Sequence, residues 1–184
     1  MQGNHLETDS DIIEGCILGN PRMQKMLYDK YSPKMYSVCL RYAGNEEDAK
    51  DILQDGFIKV FTNISKFKSL GSFEGWIRRI IVNTAIEQFR KKNKLYSLSD
   101  AKTEDKIESD DAPIFNQLET KELLNLIQSL PSGYRSVFNL YAIEGYTHKE
   151  IATLMDISEG TSKSQYSRAK ALLQDKIKHH NHKK

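Results

Sequence analysis

Residues that punctuate β-structure are scarce in this chain. Its 184 residues include only 10 Gly and 4 Pro. That is too few for the tight turns of a β-sandwich, so long helices are favoured. Cysteine is scarcer still, with 2 in all. Cys16 and Cys39 form no CxxC pair, which argues against a disulfide framework and against a zinc motif. No apolar run approaches the roughly 18 residues that a membrane span needs, so no membrane insertion is expected. The opening MQGNHLETDSD has no basic-then-apolar order, so it does not read as a signal peptide. There is no GxxxxGK followed by Ser or Thr, no HExxH and no recognisable catalytic constellation. The chain reads as soluble, reduced and cytoplasmic, not an enzyme, with no cofactor and no metal.

Strong net charge is also missing: 27 Lys+Arg face 25 Asp+Glu. The balance hides a pattern. Residues 1–94 carry 15 bases against 12 acids, residues 95–123 carry 3 against 8, and residues 124–184 carry 9 against 5. Within these, residues 66–94 hold eight bases against Glu74 and Glu87, and residues 163–184 hold seven against Asp175. Two basic ends separated by an acidic stretch suit two contacts on one polyanion. Two solvated faces joined by a solubilising linker fit the same distribution.

The stretch Ser97–Gln117 has few apolar residues, many acids and Pro113. It cannot bury much surface, so a flexible linker is expected. The division is 8–95, a linker over 96–117, and 118–180. The fold class is all-α: two small helical domains on an acidic tether.

Apolar spacing before the linker is helical throughout. Ile12, Ile13, Cys16 and Ile17 form a stripe that Gly19-Asn20 stops. Asn20 then caps a helix with Pro21 at its first position, where a missing N–H costs nothing. Its stripe is Met23, Met26, Leu27 and Tyr31, followed after Pro33 by Met35, Val38, Cys39 and Tyr42. Asn45 caps the next helix, with Glu46, Glu47 and Asp48 favourably placed in its first turn. That helix buries Ala49, Ile52, Leu53, Val60 and Phe61 and turns Asp48, Asp51, Gln54, Asp55 and Lys59 outward. A long helix from about Phe73 to Asn93 follows. It carries one stripe of Ile77, Ile80, Ile81 and Thr84 and another of Arg79, Asn83, Ile86 and Arg90.

After the linker a helix covers roughly Glu119–Ser129. Pro131 begins another, which Gly145 breaks. Thr147 to Glu150 has capping-box spacing ahead of Ile151, Leu154 and Met155. The turn Asp156-Ile157-Ser158 leads to a second helix capped by Ser158. Ser162, Tyr166, Ala169 and Leu173 lie on its inner stripe. Its other face presents Gly160, Ser164, Ser167, Arg168 and Ala171 beside Lys163. Small residues allow close approach, hydroxyls and amides reach base edges, and bases reach phosphate. These are the requirements of a recognition helix in a major groove, so the four helices read as a helix–turn–helix domain. Asp156 stands where such turns normally have Gly in left-handed φ, a region Asp tolerates. Ser162 stands where Val or Ile is normal and is expected to weaken the small core.

These segments, taken together, resemble one family. DAKDILQDGFIKVF (Asp48–Phe61) is similar to the polymerase-binding helix of bacterial sigma factors, usually close to DAEDLLQEVFLRVW. FKSLGSFEGWIRRIIVNTAIEQFRKK (Phe67–Lys92) resembles their promoter-melting segment. Leu130–Leu173 resembles their C-terminal domain. The match is to the short, two-domain extracytoplasmic-function class. Gly56 departs from the usual Val or Thr and costs roughly 1 kcal/mol in mid-helix.

The resemblance implies a transcription initiation factor without catalysis of its own. It implies that Asp48, Asp51, Gln54 and Asp55 meet the clamp helices of core RNA polymerase. Lys68, Ser69 and Ser72 would border a pocket for a flipped base of the single-stranded −10 element. Arg79, Asn83, Arg90, Lys91 and Lys92 would read that element and hold its phosphates. Ser158, Thr161, Lys163, Ser164, Gln165 and Arg168 would contact the duplex −35 element. Members of the class are usually held by an anti-sigma factor. A helix–turn–helix regulator with a helical sensing or dimerisation domain is the competing reading. It leaves the Asp48–Phe61 face and the Phe67–Lys94 segment idle. His179, His180 and His182 read as part of a mobile basic tail rather than as metal ligands.

Overall fold

The computed structural model describes residues 8–96 and 120–181, with side chains described over 8–92 and 121–178. The linker reading over 96–117 and the reading of His179, His180 and His182 therefore lie outside the described residues or side chains. All regular structure among the described residues is helical.

Local chemistry sets the ends of the helices. Helix α1 (Asp9–Ile17) starts in a capping box between Thr8 and Asp11, and Gly19 turns the chain at φ 74°. Helix α2 (Pro21–Tyr42) starts at Asn20, whose side chain accepts from the N–H groups of Arg22 and Met23. It runs unbroken through Pro33. Pro33 and Asp29, whose carbonyl loses its donor, are both exposed, so the gap faces solvent. Helix α3 (Glu46–Asn63) starts at Asn45, and a 3₁₀ turn (Ile64–Lys66) ends it. Helix α4 spans Phe73–Tyr96.

Helices α2, α3 and α4 pack on one another around Leu27, Met35, Cys39, Ala49, Val60, Ile77 and Ile81. Both cysteines are free and buried, and burial pushes the Cys39 thiol up to about 12. Ile86 belongs to this core at 2% exposed, with Val82 and Ala85, rather than to the outward stripe of α4. The spacing of α4 alone does not mark Ile86 as part of the buried stripe.

Gly56 has a steric reason. A Cβ there would collide with Ile81 Cδ1 across the contact between α3 and α4. Overfilling such a core costs about 1–3 kcal/mol, against a helix-propensity gain of about 1 kcal/mol from Gly to Ala. Gly56→Ala is expected to lower stability by about 1 kcal/mol, the difference of those two effects. Ile81→Val removes the colliding methyl, so the double variant should exceed the sum of the singles in urea melts. Simple additivity would locate the strain elsewhere.

The C-terminal helices are α5 (Thr120–Gln128), α6 (Ser132–Phe138, running on as a π turn over Asn139–Ile143), α7 (His148–Met155) and α8 (Glu159–Asn181). Thr147 and Glu150 form the expected capping box of α7. Asp156 adopts φ 60° and ψ 48°, the left-handed turn foreseen for it. Thr161 N donates to Ser158 Oγ, which caps α8. Ile127, Leu130, Phe138, Ala169 and Leu173 make a second buried cluster. The other half of the domain's core is shared: Val137, Leu140, Ile151 and Met155 join the cluster of α2, α3 and α4. The two helical groups are thus docked, with α5 and α6 on α2 and α7 on α4.

Candidate functional site

The acidic face of α3 stands at the surface. Asp51, Gln54 and Asp55 are exposed, and Asp48 is half-buried. Asp48 pairs with Lys92 at 2.6 Å, and Asp55 accepts from Gln88 Nε2 at 2.9 Å. Beside them an open groove of about 420 Å³ runs between α2 and α3, lined by Tyr28, Leu53, Phe57, Ile58 and Phe61. Tyr28 and Ile58 leave much of their apolar surface in water, at 40% and 57% exposed.

The loop before α4 rests on an aromatic pad. Phe73 stacks on Trp76 at 5.6 Å and 15°, and Phe67 meets both rings. Phe73 is buried and Trp76 packs against the core, so neither ring stands free to stack a base. The loop itself is open. Lys68, Ser69 and Ser72 are exposed, Ser69 and Gly71 have positive φ, and Leu70 is 88% exposed at the tip. Ser72 Oγ accepts from Gly75 N and so caps α4.

On α4, Arg79 and Lys91 are exposed, and Asn83 is half-buried because α7 lies across that face. Arg79 and Asn83 line a cleft of about 390 Å³ with Tyr146, Lys149, Glu150, Thr153 and Leu154. Arg90 approaches Asp156 of the helix–turn–helix at 3.5 Å. Two of the cationic side chains of α4, Arg90 and Lys92, thus have acids close by, Asp156 and Asp48.

On α8, Ser158 is exposed and Lys163 pairs with Glu159 at 2.7 Å. Ser164 Oγ donates to Thr161 O, and Arg168 Nη1 stands 3.4 Å from Tyr134 Oη. Gln165 lies against Gly133 of α6, with its Oε1 buried and unpartnered.

Several side-chain contacts are not visible in the sequence. Ser162 is fully buried, and its Oγ lies 2.9 Å from His148 Nδ1. His148 also stacks on Tyr141 at 4.3 Å and 11°. The expected weakness at Ser162 is therefore offset by a hydrogen-bond partner. Burial first, and then Lys163, hold the His148 pKa below its ordinary 6.5, with Glu159 opposing. The unfolded chain takes up a proton near 6.5 while the folded domain resists it. The contribution of His148 is therefore complete above pH 6.5 and declines as pH falls below it. Thermal melts at pH 7.5 and 5.5 should show the domain weaker in acid, with a smaller difference in His148→Gln. An equal difference in both proteins would remove His148 as the cause.

The seam between the helical groups is polar as well as apolar. Arg135, 8% exposed, donates from Nε to Tyr42 O at 3.1 Å and from Nη1 to Gln128 O at 2.7 Å. Asn139 Nδ2 donates to Arg41 O at 2.8 Å. Glu144 receives both Arg78 and Arg41. No periodicity signals these partners; the only sequence hint is an acid, Glu144, just ahead of the capping box in a basic domain.

The Sigma-70 region 2 family model matches residues 27–95, and the Sigma-70, region 4 model matches residues 120–173. The ECF RNA polymerase sigma factor SigW of Bacillus subtilis is 32% identical over 163 residues, covering 83% of this chain and 87% of that relative. The ECF RNA polymerase sigma-E factor of Haemophilus influenzae is 26% identical over 181 residues, covering 92% and 95%. Among solved structures, the sigma factor RpoE from Bartonella quintana, in complex with the anti-sigma factor NepR, shares the fold. Its TM-score is 0.51 at 21% identity, covering 84% of this chain and 96% of that one.

A helical module with an acidic face and a basic helix, joined to a helix–turn–helix, defines a promoter-recognition factor of transcription. The chain belongs to the extracytoplasmic-function class of RNA polymerase sigma factors. It is a transcription initiation factor that directs core RNA polymerase to promoters.

Proposed function

We propose that the labour is divided among the surfaces described above. The α3 face of Asp48, Asp51, Gln54 and Asp55 docks the polymerase. Lys68, Ser69 and Ser72 in the loop, with Arg79, Asn83, Arg90, Lys91 and Lys92 on α4, hold the single-stranded −10 element. Ser158, Thr161, Lys163, Ser164, Gln165 and Arg168 meet the −35 duplex. Residues 8–95 and 118–180 are the two working domains, with 96–117 as the tether. The chain catalyses nothing itself and acts in the cytoplasm beside its polymerase. An anti-sigma factor is a fitting regulator, as in the Bartonella quintana complex of similar fold.

The observation that carries this reading is the exposure of Asp51, Gln54 and Asp55 together on α3. A solvated acidic stripe suits a cationic protein surface, whereas it repels DNA. The test is run-off transcription on genomic fragments. Core polymerase should select start sites only with the chain added. Tight sequence-specific duplex binding by the chain alone, with no effect on polymerase, would establish the helix–turn–helix regulator instead. Within the reading, Asn83→Ala should slow promoter opening, followed by permanganate reactivity, more than it weakens polymerase binding. Equal losses would remove Asn83 from the −10 contact.

A further inference from the structure

Arg41 and Arg78 lie on different helices of the first module, α2 and α4, and converge on one carboxylate. Arg78 Nε and Nη2 bind the two oxygens of Glu144 at 2.7 and 2.8 Å as a fork. Arg41 Nη2 adds a contact at 3.4 Å. The Glu144 side chain is only 8% exposed. The acid comes from the other module, from the turn between α6 and α7. When the modules separate, two neighbouring guanidiniums are left without it.

Forked guanidinium geometry fits phosphate as well as carboxylate. The seam also leaves polar atoms unmet. Arg41 Nε, Tyr42 Oη and Asn139 Oδ1 are buried there without partners. A buried polar atom without a partner is destabilising, so the closed seam holds its charges without satisfying its surroundings. A phosphodiester presents two anionic non-bridging oxygens, as a carboxylate does, so it can take the place of Glu144 in the same fork. Arg78 directly precedes Arg79 and lies little more than one helical turn before Asn83, on the helix read above as the −10 contact.

We infer that Arg41 and Arg78 form a binding site for a backbone phosphate of promoter DNA, and that Glu144 occupies this site as a phosphate mimic when the two modules are docked. The inference rests on the proposed −10 role of α4. Glu144 and phosphate compete for one fork, so DNA binding and module docking exclude each other at this point. The free chain binds DNA only with the fraction of molecules that are open, which lowers its apparent affinity.

The test uses the full-length chain without polymerase and a labelled DNA duplex with a melted centre. Any base sequence serves, because the contact is to the backbone. Glu144→Gln keeps the shape and removes the charge. It should raise DNA affinity on the order of tenfold, the usual scale of coupling between two states of one chain, and increase the radius of gyration in solution scattering. Arg78→Ala added to Glu144→Gln should reverse the gain and reduce the slope of log K against log salt by about 1. Arg41→Ala in the same background is the second variant, should Arg78→Ala lose helicity. Unchanged affinity in Glu144→Gln overturns the mimic. Unchanged affinity and slope on losing either arginine overturns the phosphate site. The parent reading fails separately, if the wild-type chain confers no promoter selection on core polymerase.

Discussion

A chain carrying both Asp51→Arg and Asp55→Arg loses affinity for core RNA polymerase by a factor on the order of a hundred. Close charge pairs across protein interfaces couple by about 1.5 kcal/mol at the low end of measured cases. Two such losses make about 3 kcal/mol, or about a hundredfold in Kd, before the added repulsion is counted. The fold should not follow. Asp51 is exposed, and Asp55 gives up only its bond from Gln88; surface changes of this kind usually stay within about 0.5 kcal/mol. Asp48 is a poorer choice for the test. It lies next to the Asn45 cap, where its N–H donates to Asn45 Oδ1, and it pairs with Lys92, so its loss mixes docking with stability. Titration of labelled chain with core polymerase reads the effect, and circular dichroism checks the helices. Undiminished affinity would move the docking surface off the Asp51–Asp55 stripe, with the apolar groove between α2 and α3 beside Tyr28 and Ile58 the next to examine.

What was legible in the sequence was local. Asn20, Asn45, Thr147 and Ser158 all cap the helices they were expected to cap. A cap is a relation within about four residues, so spacing alone carries it. Asp156 in the left-handed turn and the inner stripe of Ser162, Ala169 and Leu173 follow for the same reason. What spacing could not carry was contact at a distance. Ile86 reads as outward on the spacing of α4 alone, yet it is buried in the large core cluster. Gly56 has no local cause, because the cause is Ile81 on another helix. Ser162 reads as a defect until His148, fourteen residues earlier, is brought beside it. The candidate site divides the same way. Composition shows where the charges are, since they must be solvated or matched. It says nothing of Arg78 meeting Glu144 across 66 residues of chain.

Ile151→Ala separates the two modules by their stability. Ile151 is fully buried on α7, in the cluster that joins the helix–turn–helix to α4. Truncating such a side chain leaves a cavity and costs about 2–5 kcal/mol. Small domains have little to spare, because they bury a low fraction of their surface. That loss is comparable to the whole stability of a domain at the low end of about 5–15 kcal/mol. The helix–turn–helix should therefore melt first and alone, seen as a second, lower transition in calorimetry. Duplex −35 binding should be lost with it. Polymerase binding should survive, because Asp51, Gln54 and Asp55 sit on α3, whose core partners Leu27, Val60 and Ile77 are untouched. The outcome that contradicts this is one cooperative melt in which polymerase affinity falls together with −35 binding. The shared cluster of Val82, Ile86, Leu140 and Ile151 would then be the single core of one folding unit, and the docked arrangement would be a condition of folding rather than a state from which the chain opens onto DNA.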